Sequence, residues 1–203
     1  MCWACETVGR FCESRMLSGL AQTPTISVGG HRRATTPMRT AIGLGSNLGD
    51  RLGNLRAARK AILGLSNVKP PILCSAIYET DPVGCEPGAE KFLNAVVEFD
   101  YKNDPASLLK QLIQIEEGLG RRRDHKKNVS RTMDIDLLYC GDRRINNKPL
   151  QLPHPRMHLR KFVLEPLADI RSTLVLPGQT KTVRELLVEL GDAGEVTRFA
   201  ESW

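Results

Sequence analysis

Two aspartates, Asp134 and Asp136, stand two residues apart in the segment Thr132–Tyr139. Apolar and polar residues alternate along this segment, which is typical of a β-strand with one face buried. Residues i and i+2 of a strand project from the same face, so the two carboxylates are expected to converge. Mg²⁺ prefers oxygen ligands and retains several waters, so two aspartates and substrate phosphates would complete a metal site. The spacing also suits two acids on the solvent face of an amphipathic strand, and it does not decide between these interpretations.

A basic segment lies immediately before the two aspartates. Between Arg121 and Arg131 six residues are Lys or Arg and one is acidic. Guanidinium groups bind phosphate oxygens in a bidentate fork and stabilise the charge of a phosphoryl group in transfer. A solvated loop or an RNA contact would explain a basic run alone. A basic run that leads directly into a carboxylate pair instead favours a metal–nucleotide site, and so a metal-dependent phosphoryl-transfer enzyme.

The composition narrows the choice of partners. The chain has 203 residues, of which 41% are hydrophobic, enough to bury a core. It contains no run of 18 apolar residues, so no membrane partner is expected. The positive charge is concentrated in one segment, which suits a small polyanion better than nucleic acid. We expect a cytoplasmic protein with free thiols, because the pair Cys2 and Cys5 has no second pair with which to hold zinc.

Residues 1–38 differ from the rest of the sequence. They are rich in Gly, Ser, Thr and Arg and have no sustained apolar period. We predict that they form a disordered N-terminal extension, or that translation starts at Met38. The predicted folded domain comprises residues 39–203.

The remaining sequence predicts the order strand, helix, strand, strand, helix, strand. The predicted strands are Arg39–Gly45, Ile72–Thr80, Phe92–Tyr101 and Thr132–Tyr139; one helix is capped by Ser46 or Asn47 and the other by Asp104, and Pro70-Pro71 is a break. A hairpin around Gly141-Asp142 and a helix over Thr182–Leu190 follow. This order predicts an α+β protein with a ferredoxin-like βαββαβ core, in which helices pack on one face of an antiparallel sheet.

The glycines of GLGSNLG, residues 43–49, are interpreted as a tight turn from strand to helix. The third glycine is misplaced for a dinucleotide-binding loop, and no ribose-binding acid follows at the required distance. A P-loop lysine is also missing.

Four blocks in order give the chain a family resemblance. They are AIGLGSNLGD, then YETDPVG with FLNAVVEF, then RTMDIDLLY, and finally LPHPRMHLRKFVLEPLADI. From about Arg39 onward the chain resembles the 6-hydroxymethyl-7,8-dihydropterin pyrophosphokinase (HPPK) family of folate biosynthesis. The resemblance implies transfer of the β,γ-pyrophosphoryl group of MgATP to the hydroxymethyl oxygen of the pterin, with release of AMP.

The resemblance also implies roles for particular residues. Two Mg²⁺ ions would lie between Asp134 and Asp136, with Arg121 and Arg131 completing the catalytic set. The implied pterin-binding residues are Thr80, Val83, Phe92, Asn94 and Phe162. The implied ATP-binding residues are Glu116, Arg121, Arg123, Lys127, Arg131, His154 and Arg160. Without the resemblance, the phenylalanines would be interpreted as core residues, and His154 and Arg160 as surface residues.

One segment departs from the family pattern. Many members carry Trp-Gly-Pro-Arg before the aspartates, whereas Asn128-Val129-Ser130-Arg131 stands here, and Lys127 replaces a frequent arginine. A lysine cannot make the planar bidentate contact. Two alternatives stay open. The ferredoxin-like order and the basic loop are shared with RNA-binding domains, although this sequence lacks their aromatic string. The altered segment favours a catalytically inactive relative, although Asp134 and Asp136 are intact. Association with other folate-pathway enzymes is a further possibility.

Overall fold

A computed structural model describes residues 36–82, 88–121, 130–191 and 194–203. The strands are β1 (Met38–Ser46), β2 (Val68–Cys74), β3 (Ile77–Thr80), β4 (Phe92–Tyr101), β5 (Asp134–Cys140), β6 (Ile145–Asn147), β7 (Leu150–Leu152) and β8 (Val196–Ala200). The helices are α1 (Arg51–Leu63), α2 (Pro105–Gly118), α3 (Lys161–Arg171) and α4 (Val183–Leu190), with a 3-10 turn at Met157–Leu159. The protein therefore has an α+β fold. Within the described ranges, no helix combines the length and apolarity needed to cross a bilayer.

A six-stranded antiparallel sheet organises the fold. Its main path runs β5-β1-β4-β3-β8, and β2 also pairs with β4. Strand β1, which lies between β5 and β4, places Gly45 opposite Asp134 on one side and Asn94 on the other. Residues aligned across a sheet share a face, so this register brings distant parts of the sequence side by side. A separate hairpin is formed by β6 and β7.

Helices cover both faces of the sheet, which corrects the expectation of helices on one face. In β4 alternate residues face opposite ways, with Val97 in one apolar cluster and Val96 in the other. The first cluster includes Leu55 of α1 and Leu112 of α2. The second includes Leu164 of α3 and apolar residues of α4. The C-terminal helices thus form a layer of their own.

The predicted start of the second helix is confirmed, and that of the first is wrong. Asp104 caps α2 by accepting from the backbone N–H of Ala106, and Pro105 lies in its first turn. The cap of α1 is Asp50, whose carboxylate accepts from the N–H of Gly53. Ser46 and Asn47 lie earlier in the chain and form hydrogen bonds to the segment before β5 instead.

Two further expectations need correction. The strand predicted over Ile72–Thr80 is two strands, β2 and β3, and Pro70-Pro71 lies inside β2 rather than between elements. Pairing with β4 skips the residues between Lys69 and Leu73, so the prolines are accommodated where no ladder partner is needed. The predicted hairpin lies further along the chain, as β6 and β7, with Gly141-Asp142 in the turn before it.

Glu98 of β4 forms a buried ion network on the sheet face that α3 and α4 cover. Its carboxylate accepts from the Tyr139 hydroxyl at 2.5 Å and from Arg171 Nε at 2.8 Å, and it also contacts the Arg39 guanidinium. Burial and the Glu98 charge raise the pKa of Tyr139, so the phenol remains a donor. The network joins strands β1, β4 and β5 to α3.

We expect Glu98→Gln to lower the free energy of unfolding by about 1–3 kcal/mol, since an amide cannot satisfy two guanidiniums and the phenol. Urea unfolding monitored by circular dichroism measures the change. Asp100→Asn is the matched control, because Asp100 lies two residues along the same strand and contacts Arg39 at 3.4 Å while remaining partly exposed. Equal losses in the two variants would contradict a special role for the Glu98 network.

Candidate active site

The site lies on the sheet face that α3 and α4 cover, at the end where β1 carries glycines. Gly43 is aligned with Asp136, and Gly45 with Asp134. A Cβ atom at Gly45 would lie 3.1 Å from Asn94 Oδ1 and 3.9 Å from Asp134 Cβ, so no larger residue fits without displacement. The glycines are therefore part of a strand that forms the floor of the site. The interpretation of this part of GLGSNLG as a tight turn is wrong.

Asp134 is buried between two arginines. Its Oδ1 accepts from Arg121 Nη1 at 2.6 Å, and its Oδ2 accepts from Arg131 Nη1 at 3.2 Å. Arg121 also contacts Glu116 of α2, whose Oε1 accepts from the backbone N–H of Ile135 at 2.7 Å. Burial lowers the pKa of Arg121, but the nearby charges of Asp134, Glu116 and Asp136 raise it by a larger amount. The net pKa is therefore raised, and the guanidinium stays charged.

Asp136 is also buried, but its surroundings differ from those of Asp134. Its Oδ2 has no hydrogen-bond partner among the described residues. Burial raises its carboxyl pKa well above the usual range, and the charge of Asp134 raises it further, while Arg160 opposes the shift. The solvent-face alternative for the two acids is thus wrong, since both carboxylates are enclosed by protein. An unsatisfied carboxylate oxygen in such a place favours a site that a cation completes.

His154 and Arg160 approach Asp136 from the segment between β7 and α3. His154 Nε2 lies 3.8 Å from Asp136 Oδ2. Burial lowers the pKa of His154 to about 4, and the charges of Arg160 and Arg156 act in the same direction. The imidazole is therefore neutral at pH 7. Its Nδ1 accepts from the backbone N–H of Arg156 at 3.3 Å, which assigns the ring proton to Nε2, the atom nearer Asp136. Both His154 and Arg160 are buried or nearly so, which contradicts their interpretation as surface residues.

A second group of side chains lies across Gly45 from the acids. Asn94 Nδ2 donates to Thr80 Oγ1 at 2.7 Å, and both residues are buried. The Oδ1 atom of Asn94 has no hydrogen-bond partner among the residues described. Phe92 lies two residues before Asn94 in β4, and its ring passes 3.8 Å from the Cβ position at Gly45. These three buried side chains form a cluster that combines an orientated amide with an aromatic ring.

The remaining predicted site residues are less closely defined. Phe162 is partly buried against the second cluster, and the Arg160 guanidinium lies 5.5 Å from its ring centre. Val83, Arg123 and Lys127 lie outside the described residues.

Asn47 is a contributor that the sequence interpretation did not assign to the site. It is buried and hydrogen-bonds Glu90, Ser130 and Arg131. A signal was available in the sequence, because Gly43 and Gly45, shortly before Asn47, are residues that often mark a close approach of another group to a strand. The fold of the segments that Asn47 joins could not be deduced from spacing alone.

The described residues test the fit of a metal ion only in part. They contain no cluster of three or more His, Cys, Asp or Glu side chains arranged to hold an ion. Asp134 and Asp136 still fit a divalent cation that takes its other oxygens from substrate and water, because they share a face and Asp136 Oδ2 lacks a donor. Both oxygens of Asp134 are occupied by guanidiniums, so cation binding requires Arg121 or Arg131 to share or release that carboxylate. The whole arrangement favours a transferase that binds metal-bound phosphate beside a second, planar substrate.

Comparisons with known proteins agree with this class. Residues 41–172 match the family described as 7,8-dihydro-6-hydroxymethylpterin-pyrophosphokinase (HPPK). The chain therefore belongs to the HPPK family. The matched region runs from β1 to the end of α3, and α4 and β8 follow it.

Individual relatives are similar over most of their length. The chain is 46% identical over 129 residues to a 2-amino-4-hydroxy-6-hydroxymethyldihydropteridine pyrophosphokinase of Bacillus subtilis, covering 64% of this chain and 75% of that protein. It is 38% identical over 151 residues to the protein of the same name from Haemophilus influenzae, covering 74% and 92%. A solved HPPK-DHPS structure from Plasmodium falciparum, with pterin and p-hydroxybenzoate, superimposes with a TM-score of 0.59 at 16% identity. That match covers 76% of this chain but only 43% of the larger protein, and it bears on the fold alone.

Proposed function

We propose that this protein transfers pyrophosphate from ATP to 6-hydroxymethyl-7,8-dihydropterin, forming AMP and the pterin pyrophosphate. One observation carries the proposal. A buried cluster of acids and arginines and a second buried cluster, formed by Asn94, Thr80 and Phe92, lie side by side on one sheet face, separated by Gly45. Such adjacency is what a transfer between two bound substrates needs. Membership of the HPPK family supports the same reaction.

The arginines are proposed to bind the polyphosphate. Arg121 and Arg131 already meet at Asp134, and the charge of Arg160 acts on Asp136. A guanidinium fork can share its donors between a carboxylate and phosphate oxygens. Glu116 holds Arg121 through one contact and the Ile135 backbone through another, so we assign it the task of orienting Arg121. Arg123, Lys127 and His154 are assigned to ATP binding on the family resemblance.

Asp134 and Asp136 are proposed to hold Mg²⁺ with ATP, and two ions are proposed. ATP brings about four negative charges into a region that already contains three buried acids, so cations are needed to offset the repulsion. When bound, Mg²⁺ supplies charge neutralisation at the oxygens that enter and leave the transferred group. The neutral His154 adds no charge of its own, which leaves the carboxylates available to the cations.

The cluster of Asn94, Thr80 and Phe92 across Gly45 is proposed to bind the pterin. Asn94 Oδ1 is an unused buried acceptor, suited to the N–H groups along the edge of the pterin ring. Its amide is orientated by donation to Thr80. Phe92 offers a flat apolar surface for stacking, and Phe162 is proposed for the opposite side of the ring. Val83 completes the set on the resemblance alone.

In the proposed reaction the hydroxymethyl oxygen attacks the β-phosphorus of ATP, and the bond between that phosphorus and the oxygen on the α-phosphorus breaks. AMP leaves with that oxygen, and the attacking hydroxyl loses its proton. Transfers of this kind depend on alignment and on charge stabilisation more than on covalent catalysis by the protein. The role of the side chains is thus to hold two substrates in line.

Several broader features are proposed with the function. The sheet order, with β1 between β5 and β4 and with β2 beyond β4, supports a ferredoxin-like core. Residues 39–203 are proposed as the catalytic domain and residues 1–38 as an extension. The solved HPPK-DHPS structure from Plasmodium falciparum supports association with another folate-pathway enzyme. A cytoplasmic location stays a prediction from sequence.

The function is tested by measuring nucleotide products by ion-exchange chromatography. AMP is expected only when the protein, ATP, Mg²⁺ and the hydroxymethyl dihydropterin are all present, with omission of each as its control. ADP or inorganic phosphate as the product would instead indicate a kinase or a hydrolase. Calorimetric binding of both substrates without any AMP would identify a catalytically inactive relative and end the proposal.

A further inference from the structure

We infer that Asn47 is a positioning residue that ties the phosphate-binding side of the site to the pterin-binding side. Asn47 is buried and lies directly after β1, beside the glycine floor. The inference deepens the proposed function and rests on it, because the two substrates define the two sides.

On the phosphate side, Asn47 holds the backbone of Arg131. Its own N–H donates to the Arg131 carbonyl at 3.2 Å, and its Oδ1 accepts from the Arg131 N–H at 2.8 Å. Its Nδ2 also donates to Ser130 Oγ at 3.1 Å. The N–H and the carbonyl of Arg131 are thereby both hydrogen-bonded to Asn47. The guanidinium of the same arginine reaches Asp134.

On the pterin side, the same amide holds the start of β4. Asn47 Nδ2 donates to the carbonyl of Glu90 at 3.3 Å. Glu90 precedes Phe92 by two residues, and Phe92 begins the strand that also carries Asn94. The side chain of Asn47 thus bridges two segments that are 40 residues apart in the sequence and that lead to different substrates.

The chemistry of the contacts explains why asparagine occupies this position. An amide supplies two N–H donors and an acceptor oxygen at the same reach, and all three functions are used here. Aspartate would keep the acceptor and lose both donors. Capping of α1 does not require Asn47, since Asp50 is the cap and Asn54 braces the turn through Ser46 and Leu48.

Loss of the bridge is expected to affect transfer more than the binding of either substrate alone. A shift of Arg131 relative to Phe92 leaves each substrate with its own contacts but misaligns the attacking oxygen and the phosphorus. Misplacement by as little as an ångström lowers transfer rates severely. A general loss of stability would instead weaken all properties together.

The experiment compares Asn47→Ala with Asn54→Ala, which alters the same turn without touching Ser130 or Glu90. Turnover is measured as AMP release. The Kd of Mg²⁺-α,β-methylene ATP alone, and that of the pterin in its presence, are measured by calorimetry. For Asn47→Ala we expect kcat to fall by at least about tenfold, with the Kd of the nucleotide and that of the pterin each changing by less than about threefold. Asn54→Ala should stay within about threefold of the wild type in all three measurements.

Two further variants keep the test decisive if Asn47→Ala does not fold. Asn47→Asp retains the acceptor for Arg131 and removes the donors to Glu90 and Ser130, so it should reproduce the loss of kcat. Ser130→Ala removes one contact and should give a smaller loss. If Asn47→Asp matches Asn54→Ala in kcat, the inference is overturned while the function stands. An inactive wild-type protein would instead overturn the proposed function.

Discussion

Replacement of Asp136 by asparagine should lower kcat at least about a thousandfold and at the same time stabilise the ligand-free protein. Asparagine has nearly the same shape but removes the charge that the proposed cations need. In the ligand-free protein the negative charge of Asp136 destabilises the fold, because burial and the Asp134 carboxylate raise the pKa of the Asp136 carboxyl group. AMP release measures the first effect and thermal unfolding without Mg²⁺ measures the second. A rise in Tm of about 2–4 °C would correspond to roughly 1 kcal/mol.

The sign of the pH dependence follows from the direction of the pKa shift. A carboxyl group whose pKa is higher in the folded state than in the unfolded state binds more protons when folded. The wild-type protein therefore loses stability from this group as pH rises from the unfolded pKa of 3.8 through the folded value. The advantage in Tm of Asp136→Asn should be largest at neutral pH and should shrink towards pH 4.

Asp142→Asn is the control for this prediction, since Asp142 is an exposed acid in the turn after the same strand. It should change neither kcat nor the pH dependence of Tm. A variant Asp136→Asn that keeps a tenth of wild-type turnover, or that unfolds at a lower temperature than the wild type at pH 7, would contradict the assignment of Asp136.

The sequence was sufficient to predict that the two aspartates project from one face of a strand, but not that they are buried. A spacing of two in an alternating segment predicts that both carboxylates project from one face of a strand, and they do lie on the same face of β5. The same alternation suggested that this face met solvent. It does not, because α3 and the segment before it cover it. Alternation records which residues are apolar, and it cannot show that a later helix encloses polar ones.

The helix α3 itself shows why the second layer was missed. Its sequence contains Pro166, which is unfavourable within a helix, and no capping side chain marks its start. Packing of Val163 and Leu167 against the sheet outweighs these local signals. The start of α2 is the opposite case, because the local chemistry of Asp104 and Pro105 was enough to predict it.

Contacts between segments distant in the sequence were beyond prediction from a single chain. Asn47 and Ser46 were predicted to cap a helix, which is the usual role of such residues after a strand. The structure instead uses them across the fold, where Ser46 Oγ donates to the Thr132 carbonyl at 2.6 Å and Asn47 binds Arg131. Composition and spacing favour the local partner, and only the register of β1 against β5 reveals the distant one.

Arg131→Ala should lower kcat/KM for ATP by about 10²–10³-fold, and Arg131→Lys should recover only part of that loss. The guanidinium is buried against Asp134, where its fork can also meet a phosphate, whereas an ammonium group offers a single point of charge. Both substitutions leave the bonds to Asn47 intact, because those bonds use the backbone of Arg131. A fall in activity can therefore be ascribed to the side chain, and AMP release at varied ATP concentration measures it.

Arg143→Ala provides the matched control, because Arg143 is an exposed arginine beyond the other end of β5. It removes the same charge from the protein without touching the site. If kcat/KM for ATP fell equally in Arg131→Ala and Arg143→Ala, the effect would be one of net charge on nucleotide attraction, and it would disappear at high salt. A loss confined to Arg131→Ala and insensitive to salt would place the guanidinium at the transferred group. Wild-type kinetics in Arg131→Lys would mean that charge alone suffices and that the planar fork has no part in the reaction.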